Sequence, residues 1–203
     1  MRALATERTG LLGRREALEG ILSALGDDDC IVSALGFISR DLFALTGDRR
    51  QRCFYCMGSM GSVLPLALGI ALAKPRLRIF GLEGDGSLLM NLGGLATAVR
   101  YGSANLNLIV FDNRQYESSG GQASQPEGFE IAAVCRAAGL DTRVATCPGE
   151  VGAALAAMAG ASRQGPAVLV AKVAAGPPQA RVSDPPRLIA ARFSAYLASR
   201  PSN

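Results

Sequence analysis

An acid lies between two glycines at Gly84-Asp85-Gly86, Ser87 follows, and Asn113 comes 28 positions after the acid. Paired glycines let the backbone turn sharply, and the N–H groups that open a following helix can face an anion. A carboxylate there repels a bare phosphate, yet suits one that arrives with a divalent cation. Mg²⁺ fits that task, since it takes one or two protein oxygens and completes its octahedron with phosphate oxygens and water. Asn113 offers an amide oxygen to the same ion if one strand–helix–strand repeat separates it from Asp85. A lone Gly-Asp-Gly also reads as a plain turn. The carboxamide one repeat later gives the pattern its specificity.

The elements expected to position these groups alternate along the chain. Helical apolar spacing runs from Arg14 to Leu25, closed by Gly26, and Asp27-Asp28-Asp29 reads as an exposed turn rather than a metal cluster. A buried strand spans Cys30 to Leu35, a helix Ser39 to Leu45, a strand Arg52 to Cys56, and a long small-residue helix Gly58 to Ala73. Leu77 to Leu82 reads as a strand, Gly84 opens a helix that reaches about Tyr101, and Leu106 to Phe111 is the next strand. Gln115 to Gly128 is polar and rich in Gly and Ser. A helix (Phe129 to Ala138), a strand (Thr142 to Thr146), a helix (Val151 to Ala161) and a strand (Ala167 to Val173) follow, and a last helix starts at Leu188. This alternation predicts an α/β fold: a three-layer, doubly wound, mostly parallel sheet covered on both faces. Ligands in such sheets bind beyond the carboxyl ends of the strands. That rule gathers Gly36 to Ser39, Gly58 to Gly61, Gly84 to Ser87 and Asp112 to Gln122 at one edge. The expected division is a flexible tail over 1–13, a binding domain over 14–176, and a Pro-rich segment with a final helix over 177–203.

Composition removes several classes of function. The 203 residues carry no His and no Trp, so His triads, His metal sites and His acid–base catalysis are absent. The net charge of +4 comes from 21 cations, of which only Lys74 and Lys172 are lysines. No basic run is interleaved with aromatics, which argues against a nucleic-acid partner. Five cysteines, Cys30, Cys53, Cys56, Cys135 and Cys147, include one CxxC with no second pair to complete a zinc site. They read as reduced thiols in a cytoplasmic protein. Met1 to Gly13 lacks the continuous apolar stretch of a signal peptide or membrane span. No G-x-G-x-x-G follows an expected strand, so the dinucleotide fingerprint is missing.

Gly84-Asp85-Gly86, 26 intervening residues and Asn113 resemble the cofactor motif of thiamine diphosphate enzymes, and the likeness extends from about Arg14 to Gly139. Phe54-Tyr-Cys-Met-Gly-Ser-Met-Gly61, Leu88-Leu-Met-Asn-Leu-Gly-Gly-Leu-Ala96 and Ser118-Ser-Gly-Gly-Gln122 resemble the sulfopyruvate and phosphonopyruvate decarboxylase branch. The resemblance implies the diphosphate domain of the thiamine diphosphate-binding fold, with thiamine diphosphate and Mg²⁺ as cofactors. Asp85, Asn113 and the Gln115 backbone carbonyl would bind Mg²⁺, and Gly86 and Ser87 would contact the diphosphate. Gly36, Ser39, Ser59 and Gly84 complete the expected cofactor contacts. The Gly58 carbonyl would accept from the aminopyrimidine, and Met60 would hold the cofactor bent. Where relatives place Thr-Ser-Arg, this chain has Ile38-Ser39-Arg40, so Ser39 is the remaining hydroxyl there. Ser118, Ser119, Gly120, Gly121 and Gln122 would meet the substrate's anionic tail or close the site.

In that enzyme class the activating Glu sits on a separate pyrimidine-binding domain, and Glu83, Glu117, Glu127 and Glu130 all lie in the diphosphate half. The resemblance therefore implies one half of a split, hetero-oligomeric carboxy-lyase whose partner subunit carries the catalytic Glu. Its expected substrate is a small anionic 2-oxo acid, 3-sulfopyruvate going to sulfoacetaldehyde and carbon dioxide. Phosphonopyruvate is the alternative, and a non-catalytic nucleotide-binding module the rival from another class. Neither a membrane nor a nucleic acid is expected as partner.

Overall fold

A computed structural model describes residues 12–160 and 163–201. Seven parallel strands form one sheet: β1 (Leu12–Gly13), β2 (Cys30–Ser33), β3 (Cys53–Tyr55), β4 (Ile79–Gly84), β5 (Leu106–Asp112), β8 (Asp141–Ala145) and β9 (Ala167–Ala174). Short β6 (Gln115–Tyr116) and β7 (Gln122–Ala123) pair as a separate antiparallel hairpin. The helices are α1 (Arg14–Ser23), α2 (Phe37–Thr46), α3 (Val63–Ala73), α4 (Asp85–Leu89), α5 (Gly93–Tyr101), α6 (Ile131–Ala137), α7 (Pro148–Gly160) and α8 (Pro186–Ala198). No helix among the described residues is long and apolar enough to cross a membrane.

The sheet order is β9-β5-β4-β2-β3, with β1 and β8 both paired to β9. Every residue of β5 is buried, and β9 is buried along most of its length, as expected of central parallel strands covered twice. The chain moves from β2 outward to β3, then returns past β2 to β4. Right-handed crossovers therefore put α2 and α3 on opposite faces. Helices α1, α2 and α7 pack together on one face, and α3 packs with α5 on the other. The reversal leaves a crevice between the ends of β2 and β4, the topological switch point where such folds bind ligands.

Several expected boundaries move for identifiable reasons. The helix expected from Gly58 begins only at Val63, because Gly58 (φ +71°) and Gly61 (φ +77°) are left-handed. Pro65 fits its first turn, where an N–H would have no intrahelical partner. The helix expected from Gly84 to about Tyr101 is broken between Leu89 and Gly93 into α4 and α5. Of the tail expected over 1–13, Leu12 and Gly13 extend the sheet against Val173 and Ala174, and the rest lies outside the described residues. The Asp27–Asp29 turn is only partly exposed: Asp29 is buried and paired with Arg78. The end of the helix expected to reach Ala161 falls outside the described residues.

Four of the five thiols are buried, Cys147 is exposed, and none is in a disulfide. Burial pushes Cys30 and Cys53 up to about 12, and Cys56 and Cys135 to about 11. They pack as small apolar groups.

Candidate functional site

The register of the central strands pairs Gly84 of β4 with Phe111 of β5. Asp85 and Asn113 thus leave neighbouring parallel strands just past their last paired residues, at the same edge. Both line a cleft of about 80 Å³ whose other walls include Ala34, Ile38, Met60, Gly84, Ser87 and Phe111. Ile38, Met60 and Phe111 make part of its wall apolar. The structure brings together the metal-type trio Asp85, Asn113 and Gln115, along with Gly84, Gly86, Ser87, Met60, Ser118 and Ser119.

Asp85 is 4% exposed, and no arginine or lysine of the described residues pairs with it. Its carboxylate accepts from the Ser124 hydroxyl (2.7 Å) and from the Gly86 and Arg114 backbone N–H groups. Burial nonetheless pushes its pKa up, and the nearby Asp112 adds to the rise. A buried carboxylate with hydrogen bonds and no counter-charge is costly unless a cation joins it. Asn113 is aimed by its neighbours: Nδ2 donates to Glu117 (2.9 Å), and Oδ1 accepts from the Gln115 N–H (3.1 Å). An amide oxygen has two lone pairs, so one remains for an ion. This oxygen-rich donor set suits Mg²⁺.

Arg114 sits at φ +60°, the only left-handed non-glycine among the described residues. That turn swings the chain after Asn113 into the β6–β7 hairpin, which folds back over α4. The Tyr116 ring then lies so close to Gly86 that a Cβ there would come within 2.2 Å of it. The second glycine of the motif is therefore required by packing as well as by the turn.

Glu117 is a hub that sequence reading did not identify. Its carboxylate accepts from Arg14 Nη1 (2.6 Å), Asn113 Nδ2 and the Gly176 N–H. Arg14 is 6% exposed and also pairs with Asp41 (2.8 Å) and the Gly176 carbonyl (2.7 Å). Arg14 lines the cleft, but two carboxylates already neutralise it. Its position at the opening of the first helix carried no sequence signal, and neither did Ser124.

Other expected contacts are placed elsewhere. Ser39 turns inward, donating to the Ala34 carbonyl and to Ser33 Oγ, so its hydroxyl is not offered to the cleft. Ile38 occupies the wall instead. Ser87 lines the cleft, while its hydroxyl accepts from the Gly61 N–H (2.8 Å) and bonds Glu83, tying the Gly58–Gly61 turn to α4. Glu83 is fully buried, and burial raises it to about 7. Ser59 is exposed and bonded to Ser62, and Gly58 is exposed. In the Ser118–Gln122 run, only Ser118 and Ser119 reach the cleft, with Ser118 over Gly36. Gly120 and Gly121 form the exposed hairpin tip, and Gln122 pairs with Tyr116. Arg114 donates to the Phe129 and Pro126 carbonyls (3.1 and 2.7 Å), and Arg40 lies over the Phe37 ring.

Residues 36–171 match the family model described as thiamine pyrophosphate enzyme, C-terminal TPP binding domain. The chain is 40% identical over 131 residues to the sulfopyruvate decarboxylase subunit beta of Methanothermobacter thermautotrophicus, covering 64% of this chain and 69% of that one. It is 41% identical over 126 residues to the phosphonopyruvate decarboxylase of Streptomyces viridochromogenes, covering 62% of this chain but only 31% of that protein. Benzoylformate decarboxylase of Polynucleobacter necessarius shares the fold, with a TM-score of 0.70 at 20% identity over 88% of this chain and 36% of that one.

Proposed function

Because the chain belongs to the thiamine pyrophosphate enzyme family through its C-terminal TPP-binding domain, we propose that it is the diphosphate-binding subunit of a split 2-oxo acid decarboxylase. Its proposed substrate is 3-sulfopyruvate, released as sulfoacetaldehyde and carbon dioxide. The observation that carries the reading is Asp85, a buried carboxylate with no cation partner among the described residues, in one cleft with an Asn113 oxygen that keeps a spare lone pair. Mg²⁺ held by Asp85, the Asn113 amide oxygen and the Gln115 carbonyl supplies the missing charge. Gly86 and Ser87 at the start of α4 would lie against the diphosphate. Thiamine diphosphate, when bound, supplies the electron sink for the pair left as carbon dioxide departs.

The remaining tasks fall to this chain's walls. Met60 and Ile38 hold the cofactor in place and exclude water, and Ser118 and Ser119 face the substrate's anionic tail from the hairpin. Two carboxylates line the cleft, Asp85 and Glu117, and the second is spent on Arg14, Asn113 and Gly176. Neither is free to activate a pyrimidine, which supports a partner subunit carrying that Glu. The 69% coverage of a relative named as a beta subunit supports the same division.

Calorimetric titration of the full chain with thiamine diphosphate, with Mg²⁺ and with EDTA, tests the cofactor site. Binding requires the metal, and Asp85→Ala abolishes it; unchanged affinity in that variant removes the metal assignment. Carbon dioxide release from 3-sulfopyruvate requires the pyrimidine-binding subunit, so turnover by this chain alone would refute the split enzyme. The likeness to a phosphonopyruvate decarboxylase supports a second reading, and a higher kcat/KM for 3-phosphonopyruvate would select it.

A further inference from the structure

At the opposite end of the sheet, before β2 and β3, the chain buries a positive charge with no carboxylate partner among the described residues. Arg52 is 3% exposed, donates Nη1 to the Gly26 carbonyl, and leaves Nε and Nη2 shielded from solvent with no acceptor. Arg192 of α8 pairs through Nη1 with Asp184 (2.7 Å), but its Nε and Nη2 are also without acceptors. Arg200 pairs at the rim with Asp28 (2.6 Å), stacks over Tyr196, and leaves its Nε bare. These three arginines line one groove of about 550 Å³, together with Gln51, Ser199 and the single carboxylate of Asp27.

A buried, unpaired guanidinium is among the costliest things a fold can hold, and native proteins satisfy nearly all such donors. Water would satisfy the N–H groups but would leave the charge uncompensated. Five unpartnered donors on three planar forks around one groove match an oxyanion that presents several acceptor oxygens in three dimensions. A phosphoryl group does this with two negative charges, whereas a lone carboxylate saturates one fork. Arg200 is the most exposed of the three, its side chain 31% accessible, and it stands at the rim over Tyr196.

We infer that this groove is a binding site for a phosphoryl anion, as inorganic phosphate or a phosphomonoester, remote from the Asp85 cleft. The anion seats between Arg52 and Arg192, and Arg200 closes over it. Because Arg192 lies on α8 and Arg200 just beyond its end, occupancy fastens the C-terminal helix to the segment that leads into β3.

The test uses the full chain in EDTA at constant ionic strength, with thermal unfolding followed against inorganic phosphate, glycerol phosphate and, as control, chloride. Phosphate raises the melting temperature saturably, by on the order of 5 °C, and chloride does not; a larger rise with glycerol phosphate identifies the monoester as the ligand. Arg52→Met removes the response while melting no lower than wild type in phosphate-free buffer. Should that variant fail to fold, Arg192→Met serves, with at least a tenfold weaker phosphate midpoint. No saturable shift in wild type, as when an acidic side chain of another subunit fills the groove, overturns the inference. So does an equal shift in Arg52→Met, which would put the phosphate at α4 and leave the cofactor reading standing.

Discussion

The two ends of this parallel sheet carry opposite electrostatic debts. Among the described residues, Asp85 beyond the carboxyl ends is a buried acid with no cation, and Arg52 before the amino ends is a buried base with no anion. The acid is well hydrogen-bonded, by Ser124 and two backbone N–H groups, so what it lacks is charge alone. The base lacks both charge and acceptors. A hard dication meets the first need, since it neutralises without requiring a donor or acceptor pattern. A multi-oxygen anion meets the second, because it must satisfy directional N–H groups as well. Whether a site wants an ion or a shaped ligand can thus be read from which part of the polar accounting is left open.

Asp85→Asn should break this contrast most strongly. It keeps the side-chain volume but removes the charge, and should weaken Mg²⁺-dependent thiamine diphosphate binding by at least about 100-fold in calorimetry, leaving the phosphate response of the Arg52 groove intact. Conversely, Arg52→Met should leave cofactor affinity unchanged within about twofold. A change at both ends from either substitution would mean the sites are coupled through the sheet. Gly86→Ala comes next: its Cβ cannot share space with Tyr116, so the hairpin must move, costing about 1–3 kcal/mol in urea unfolding along with most of the metal-dependent affinity. Glu117→Gln should be milder, weakening metal-dependent binding by about tenfold, because an amide cannot accept from Arg14, Asn113 and Gly176 together. In an Asn113→Ala background the same change should add nothing, a double-mutant cycle that separates aiming Asn113 from general stability. The smallest effect concerns the thiols. At pH 7 a maleimide should label Cys147 alone, and all five should react after unfolding, because burial holds the other four protonated.

Much of the first site was legible in the chain. Gly84, Asp85, Gly86 and Asn113 lie at the ends of strands whose apolar runs mark them as central, and one crossover repeat places both polar groups at the same edge. Met60, Ser118 and Ser119 also line the cleft. The directions of the Ser39 and Ser87 hydroxyls were not legible, because a hydroxyl's direction depends on which backbone groups nearby lack partners. The Ala34 carbonyl captured one, and the Gly61 N–H and Glu83 captured the other. Glu117 was seen only as a carboxylate in the wrong place for pyrimidine activation. Its actual role needs Arg14 and Gly176, which are 103 and 59 positions away. The Arg52 groove left no mark at all, since arginines spread along a chain read as solvated until burial singles one out.

Periodicity, turn chemistry and one acid–amide spacing determined the sheet, its carboxyl edge and the meeting of Asp85 with Asn113 there, because these depend on local backbone geometry repeated along the chain. The long-range pairings were decided only by the tertiary structure: which carboxylate is neutralised, which hydroxyl turns inward, and which guanidinium is stranded. Charge compensation is a property of neighbours in space, and Asp41, Glu117 and Gly176 become neighbours of Arg14 only once the chain has closed around them.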